Sequence, residues 1–361
     1  MKATPGRGTR RLLRARAALA AVCSLAALLS GGCRIPPLPP LKVMMNGRVS
    51  AELPPVHNAC PVMEMTLPGS CTQCSGKVAI IDVDGLLVNA DMTGLGSMGE
   101  NPVSLFRERL DAAARDSLVR GVVVRINSPG GGVTASDIMW HDLMAFKQRC
   151  GLPVAACVLD VGAGGAYYLA TAADQIFIHP TSVTGGIGVI LNVYNLQDAM
   201  AQFNVVGTPV KSGQNIDLGT PIAPLNEERR RLLQDMADEF HARFRRVVCD
   251  ARPEVDPVDN TNFDGRVFTA AQAMARRLVD HVGYLDDAVA WCASTAGEEK
   301  VRVVLYHRPN DPARTPYALT PNVPWQGALI PFSVPGLDRS RLPGFLYMWQ
   351  PDPTFERLSG R

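Results

Sequence analysis

Two glycine-rich stretches carry the strongest chemical suggestion in this chain. "NSPGGG" (Asn127 to Gly132) follows the apolar run "RGVVVRI" and precedes "TASDIMWHDLMAFKQRC", whose apolar spacing is helical. Consecutive glycines let backbone N–H groups turn inward at a helix N-terminus, where the helix dipole also favours negative charge. Such a cradle at Gly130, Gly131 and Gly132 is suited to the oxyanion of a tetrahedral intermediate; a phosphate cradle or a plain tight turn uses the same residues. The second stretch, "GAGGA" (Gly162 to Ala166), follows the apolar "PVAACVLD" and runs into the helix start "YYLATAAD". An elbow between strand and helix is where a nucleophile would be presented. This one has no hydroxyl, thiol, imidazole or carboxylate at its tip.

A third cluster is "HNACPVMEMTLPGSCTQC", in which His57, Cys60, Cys71 and Cys74 form an H-x2-C and a C-x2-C. Paired short spacings let two tight turns each supply two ligands to a tetrahedral structural zinc. A disulfide with a spare thiol accounts for the same residues. Cys150, Cys157, Cys249 and Cys292 lie in apolar or helical contexts, which suits buried or structural thiols.

The elements that would position these residues alternate. "KVAIIDVDG", "RGVVVRIN" and "PVAACVLD" read as buried strands, and "QIFIHP", "IGVILNV" and "GTPVKSG" as shorter ones. Helical spacing appears in "SLFRERLDAAARD" (Leu105, Leu110, Ala113), in the stretch from Thr134, where Thr134 or Ser136 could cap, and in "NLQDAMAQF". A long helix is expected over "NEERRRLLQDMADEFHARFRRVVCDAR", with Leu232, Leu233, Met236, Phe240 and Phe244 on one stripe. Such alternation predicts an α/β protein, with parallel sheets covered by helices.

The 361 residues are 47% hydrophobic and 19% charged, enough for one large or two small folded domains. The net charge of +2 is not gathered into a basic, aromatic-striped surface, so a nucleic-acid partner is not expected. A basic start, the apolar run Ala17 to Leu29 and "SGGC" have the layout of an export signal over 1–33. Small residues before Cys33 fit a bacterial lipoprotein signal, in which Cys33 is acylated and holds the protein at the cell envelope; Ser30 departs from the strict pattern, and an ordinary cleaved signal also fits. Residues 34–56 are proline-rich and read as a tether, 57–75 as the Cys/His segment, 76–297 as the main domain. The tail 298–361 is proline-rich, and its apolar pieces "ALIPFSVPGL" and "LPGFLYMWQ" need a surface to dock on: this fold, a neighbouring subunit or lipid.

Four motifs in order, "VRINSPGGGV", "GAYYLATAADQIFIHPTSVTGGIGVI", "VKSG" and "DGRVFTAAQAMARRLVDHVGYLDDAV", resemble the bacterial signal peptide peptidase A family of serine peptidases over about residues 76–295. The resemblance implies a Clp-protease/crotonase-like spiral of β-β-α units and the half-length form with one copy of the domain. It further implies peptidase activity on membrane-retained signal peptides, so that extended apolar peptides are the expected partners, and assembly into rings. No catalytic cofactor is implied; a structural zinc is the one metal the residues allow.

The family's general-base lysine falls on Lys211, where burial between apolar walls would let it give up its proton. The nucleophilic serine falls on Gly164 and the lysine-orienting serine on Gly186, so both hydroxyls are lost; Gly165 continues the expected groove. A disabled, peptide-holding or ring-forming subunit is the leading expectation. A relocated nucleophile, with Ser128, Ser182, Thr184, Ser212 or Cys157 as options or Asp160 activating a water, is the alternative. A crotonase-like acyl-thioester enzyme, which needs no serine, is a more distant one.

Overall fold

The computed structural model describes residues 43–45, 49–51, 60–92, 99–309, 311, 315–318, 320 and 344–350. Residues 1–54 separate from 55–361 as a unit of their own. In the first unit β1 (Val43–Met45) and β2 (Val49–Ala51) pair antiparallel, so the stretch read as a plain tether contains a short hairpin.

The second unit is built on one sheet whose strands run in the order β10, β7, β6, β5, β4, β11, β3. Its centre is β4 (Lys77–Leu87), β5 (Val119–Gly132) and β6 (Val154–Ala163), rich in Val, Ile and Ala and buried along most of their length. β7 (Gln175–Ile178) and β10 (His281–Val282) extend it on one side, all in parallel register. On the other side β11 (Arg302–His307) pairs parallel to β4, and β3 (Met63–Thr66) pairs antiparallel to β11. The sheet therefore takes strands from the Cys/His segment and from the tail as well as from 76–297.

Alternation along the strands sorts the core into two layers. Ala79, Ile81, Val122, Val124, Val154 and Ala156 pack with α1 (Pro102–Arg115) and α2 (Val133–Cys150). Their neighbours Val78, Ile80, Val123, Ala155 and Cys157 pack with α7 (Leu285–Thr295) on the opposite face. The expected inward stripe of α1 is observed, with Leu105, Leu110 and Ala113 buried and Asn101 capping its start. Between them come the short helices α3 (Gly165–Ala170) and α4 (Gln197–Gln202), the long α5 (Glu227–Ala251), and α6 (Ala270–Ala275). The result is the α/β architecture expected for a Clp-protease/crotonase-like chain.

Three local expectations are corrected. β5 does not stop at "SPGGG" but runs through it to Gly132, because those glycines are paired on both sides. α2 is capped by Gly132 without a side-chain bond; Ser136 instead donates to Gly132 O at 2.9 Å, and no cap from Thr134 is needed. "GTPVKSG" forms no strand, and "IGVILNV" contributes only an isolated bridge at Ile190. The first of these runs lies in an open excursion, residues 203–226, that lacks the second layer a strand needs.

Candidate active site

β6 ends in the elbow and hands the chain to α3. Gly164 is the N-cap of α3 at φ 55°, ψ −124°, a conformation in which a side chain is strained. Its N–H donates to Gly185 O at 2.9 Å, from β8 (Val183–Gly185), which pairs parallel to β6 and antiparallel to β9 (Val267–Thr269). Gly186 follows at φ 63°, and a Cβ placed on it would lie 3.1 Å from Gly164 N and 3.4 Å from Ala163 Cβ. The two positions read as lost serines are thus adjacent in space. The elbow keeps the tense backbone that displays a nucleophile, without the side chain.

The triple glycine lies on the other side of the same hollow. A Cβ on Gly130 would meet Gly165 N at 2.7 Å, so the two glycine stretches touch through bare backbone. Gly130 N–H donates to Ser128 Oγ at 3.1 Å, which gives Ser128 a local turn-stabilising role.

The hollow is filled by a strand from the chain's own tail. β12 (Leu346–Met348) pairs antiparallel with the glycines of β5, Leu346 opposite Gly132, Tyr347 opposite Gly131 and Met348 opposite Gly130. Val133 N–H donates to Phe345 O at 3.3 Å, and Trp349 N–H to Pro129 O at 2.9 Å. Tyr347 lies midway between these bonds, which puts it and Gly131 in the hydrogen-bonding phase of the ladder. On its free edge the strand exchanges two bonds with Ile190: Ile190 N–H to Leu346 O and Leu346 N–H to Ile190 O, each 3.0 Å. The segment is held on both edges, with the Tyr347 carbonyl against the backbone of Gly130, Gly164 and Gly165.

Side chains alternate across this strand as the pleat requires. Leu346 and Met348 join Leu86, Val88, Met92 and Ile190 in a small apolar cluster. Tyr347 points the other way and is fully buried. Its ring stacks on Tyr168 at 5.4 Å and meets Phe244 at 4.7 Å, and its hydroxyl donates to Phe240 O at 2.7 Å. Tyr168 comes from α3, directly behind the elbow, while Phe240 and Phe244 come from α5. Phe240 also meets Phe345 edge-on at 5.2 Å.

Lys211 is not enclosed by apolar walls. It sits in the 203–226 excursion with its side chain 27% exposed and is ion-paired with Asp217, which also holds Arg229. Those two cations hold the Asp217 carboxyl below the usual carboxylate range, the Lys211 hydrogen bond being the largest cause. The Lys211 ammonium is thus engaged by a carboxylate of the excursion itself.

The other candidate nucleophiles differ in their surroundings. Thr184 donates to Gly162 O at 2.6 Å, and Ser212 is exposed on the excursion. Cys157 faces the core of its strand, and burial pushes its thiol up to about 12, so it is not a thiolate near neutral pH. Ser182 is buried with no hydrogen-bond partner among the described residues, and Asp160 is exposed.

Cys71 and Cys74 form a disulfide, and Cys60 is exposed and free. In the oxidised pair neither sulfur is a thiolate, so in this state they do not offer zinc the ligands the spacing suggested. His57 and Cys33 lie outside the described residues. Cys157 and Cys292 are buried as expected, while Cys150 and Cys249 are half-buried.

The residues that sequence reasoning missed are Leu346, Tyr347, Met348, Ile190 and the roles of Phe240 and Phe244. A signal existed: "FLYMW" is an unbroken apolar run with aromatics at every second position, bounded by Pro-Gly and Gln-Pro. What the run pairs with is not written in it.

Peptidase family S49 matches residues 146–299, which include the elbow, both glycines and Lys211. Among known proteins the chain is 28% identical over 213 residues to the Enterococcus faecium protein assigned as signal peptide peptidase SppA, covering 59% of this chain and 62% of that one. It is 30% identical over 221 residues to Protease 4 of Salmonella typhi, covering 61% of this chain and 35% of that protein. It is 31% identical over 209 residues to the chloroplastic serine protease SPPA of Arabidopsis thaliana, covering 56% and 30% respectively. The chain thus spans between about a third and under two thirds of the length of these relatives. With the parallel sheet, the elbow and the glycine hollow in place, the chain belongs to the signal-peptide-peptidase-A-like peptidases of family S49.

Proposed function

We propose that this protein is an S49 family member that holds extended apolar peptides, of the signal-peptide kind, by strand addition in the groove and does not cleave them. The observation that carries this is Gly164: a carbonyl resting on the elbow meets backbone and no atom that can attack it. The removal of Lys211 to an exposed ion pair supports the same reading. Glycine amides and a groove alone leave a peptidase only a feeble background rate.

The setting proposed is the bacterial envelope, with Cys33 as a lipid anchor. No helix among the described residues is long and apolar enough to cross a membrane; the small residues before Cys33 are what support a lipid anchor. Assembly into a ring is supported by the excursion around Lys211, which exposes Phe203 at 79%, Val206 at 81% and Ile216 at 72%.

The test is hydrolysis of a fluorogenic apolar peptide by the purified full-length chain, beside Gly164→Ser and Lys211→Ala. The expected result is no turnover above background by the native sequence. Robust cleavage that Lys211→Ala abolishes would overturn the reading.

A further inference from the structure

A buried ionic node joins the end of β11 to the sheet, and its geometry requires a proton that pH can remove. We infer that His307, Asp82 and Asp311 form a pH-set latch on segment 308–320, closed while the His307 ring carries both protons and opened when it loses one. The latch goes beyond the non-cleaving reading above and does not depend on it.

The first supporting observation is the setting of the ring. His307 ends β11 and is 1% exposed. Its Nδ1 lies 3.0 Å from Asp311 Oδ2 and 3.2 Å from Asp311 O, and its Nε2 lies 3.3 Å from Asp82 Oδ2. Both ring nitrogens face oxygens that only accept, so both must donate, and only the imidazolium has two N–H groups. A neutral ring would set a bare nitrogen against one of the carboxylates.

The second is the unequal support of the two carboxylates. The charged groups around the ring are Asp82 and Asp84 from β4, Arg109 and Glu108 from α1, Glu100 just before it, Arg125 from β5, and Arg308 and Asp311 after the ring. Arg308 is clamped between Glu100 and Glu108, so the chain stays anchored where it leaves β11. Asp82 pairs with Arg125 and Arg109 as well as His307, and remains paired when the ring is neutral. Among the described residues, Asp311 has His307 alone as a cation in contact. A buried carboxylate without its cation is strongly disfavoured. Asp311 stands beyond the sheet, on the segment itself, and escapes that penalty by turning out to water.

The third is that the segment's other anchors draw on the same node. Arg125 donates to Pro316 O and, at 2.5 Å, to Ala318 O, and Arg109 donates to Thr320 Oγ1 at 2.7 Å. Both guanidiniums also serve Asp82. With the imidazolium gone, that carboxylate competes harder for them against neutral acceptors. Burial opposes the charge on His307, yet the carboxylates prevail and the folded chain holds the proton more tightly than the unfolded one. The latch is therefore fully closed below about pH 6.5 and is lost as pH rises through the folded value.

Hydrogen exchange read by mass spectrometry on the full-length chain, corrected for the intrinsic pH dependence of amide exchange, tests the latch. Peptides covering 308–320 include the Asp311 and Ala318 amides, bonded to Arg308 O and Thr315 O. Their protection is expected to fall at least about threefold between pH 6 and pH 9, while β4, β5 and β6 keep theirs. Equal protection at both pH values would overturn the inference. Asp84→Asn is expected to retain the fall; its disappearance there would assign the proton to Asp84 instead and sink the latch.

His307→Gln, which cannot carry the charge, is expected to abolish the pH dependence of 308–320. Asp311→Asn serves even where His307→Gln does not fold. It keeps the histidine and removes its outer carboxylate, so the midpoint of the fall is expected to move to lower pH. A midpoint unmoved in Asp311→Asn, or a pH dependence surviving in His307→Gln, would overturn the assignment.

Discussion

Asp84 shows how much a single side chain at the rim of this groove can be read. It lies on β4 opposite Asn127, two residues before Leu86 pairs with Gly130. Burial, helped by the negative charge of Asp82, raises its carboxyl to about 6. The folded state then holds this proton more tightly than the unfolded chain does. The stabilisation is complete below about pH 4 and is lost as pH rises through 6. That rise of the carboxyl corresponds to about 3 kcal/mol. Asp84→Asn is expected to raise stability at pH 7 by about 2–3 kcal/mol and to flatten the profile between pH 4 and 7, as measured by urea unfolding. His307 pushes in the same direction. Burial would lower it, but the carboxylates of Asp311 at 3.0 Å and Asp82 at 3.3 Å prevail and raise it. Its contribution is present below its unfolded value and fades as pH rises through the folded one. Thermal melts of the native chain are therefore expected to be higher at pH 5.5 than at pH 8.

At the scale of elements, α5 has two halves with different duties. Its C-terminal part is packed, with Phe244, Val247 and Val248 buried, and its N-terminal part leaves Leu232 exposed. The stripe read from the sequence is thus only partly a core stripe. Phe244 closes the aromatic pocket from above, meeting Tyr168 at 5.1 Å and Tyr347 at 4.7 Å. Phe244→Ala is expected to cost about 3–5 kcal/mol in chemical denaturation, through lost burial and the cavity left behind. The same change should loosen β12, because its tyrosine loses one wall. Much of this was legible: the long helix, the strands of the central sheet and the elbow all follow from local pattern. The role of "FLYMW" was not. Its alternation announces a strand, but strand pairing joins residues about 150 to 215 positions apart, as with Leu346 to Ile190 and Gly132.

For the whole molecule, the proposed ring would give the 203–226 excursion a cover. Its apolar side chains face solvent in a single copy, and Val210 is wholly exposed. Monomeric proteins do not usually present such a patch. Light scattering on the purified chain is expected to give a mass of several copies, and Val206→Asp to reduce it toward one. A native chain that is monomeric at micromolar concentration would remove the ring from the proposal.

The sequence by itself determined the α/β class, the two glycine stretches, their order with the lysine motif, and the lack of a hydroxyl at both serine positions. Those are properties of residue type and local period, which neighbours a few positions away suffice to write. Only the tertiary structure decided that Gly164 and Gly186 are adjacent, that Lys211 is exposed in an ion pair, and that the tail strand fills the hollow. The first and the last depend on separate segments meeting, where backbone atoms of one come within about 3 Å of where a Cβ of the other would stand, and the second on how the excursion folds on itself. Residue type alone does not encode such contacts.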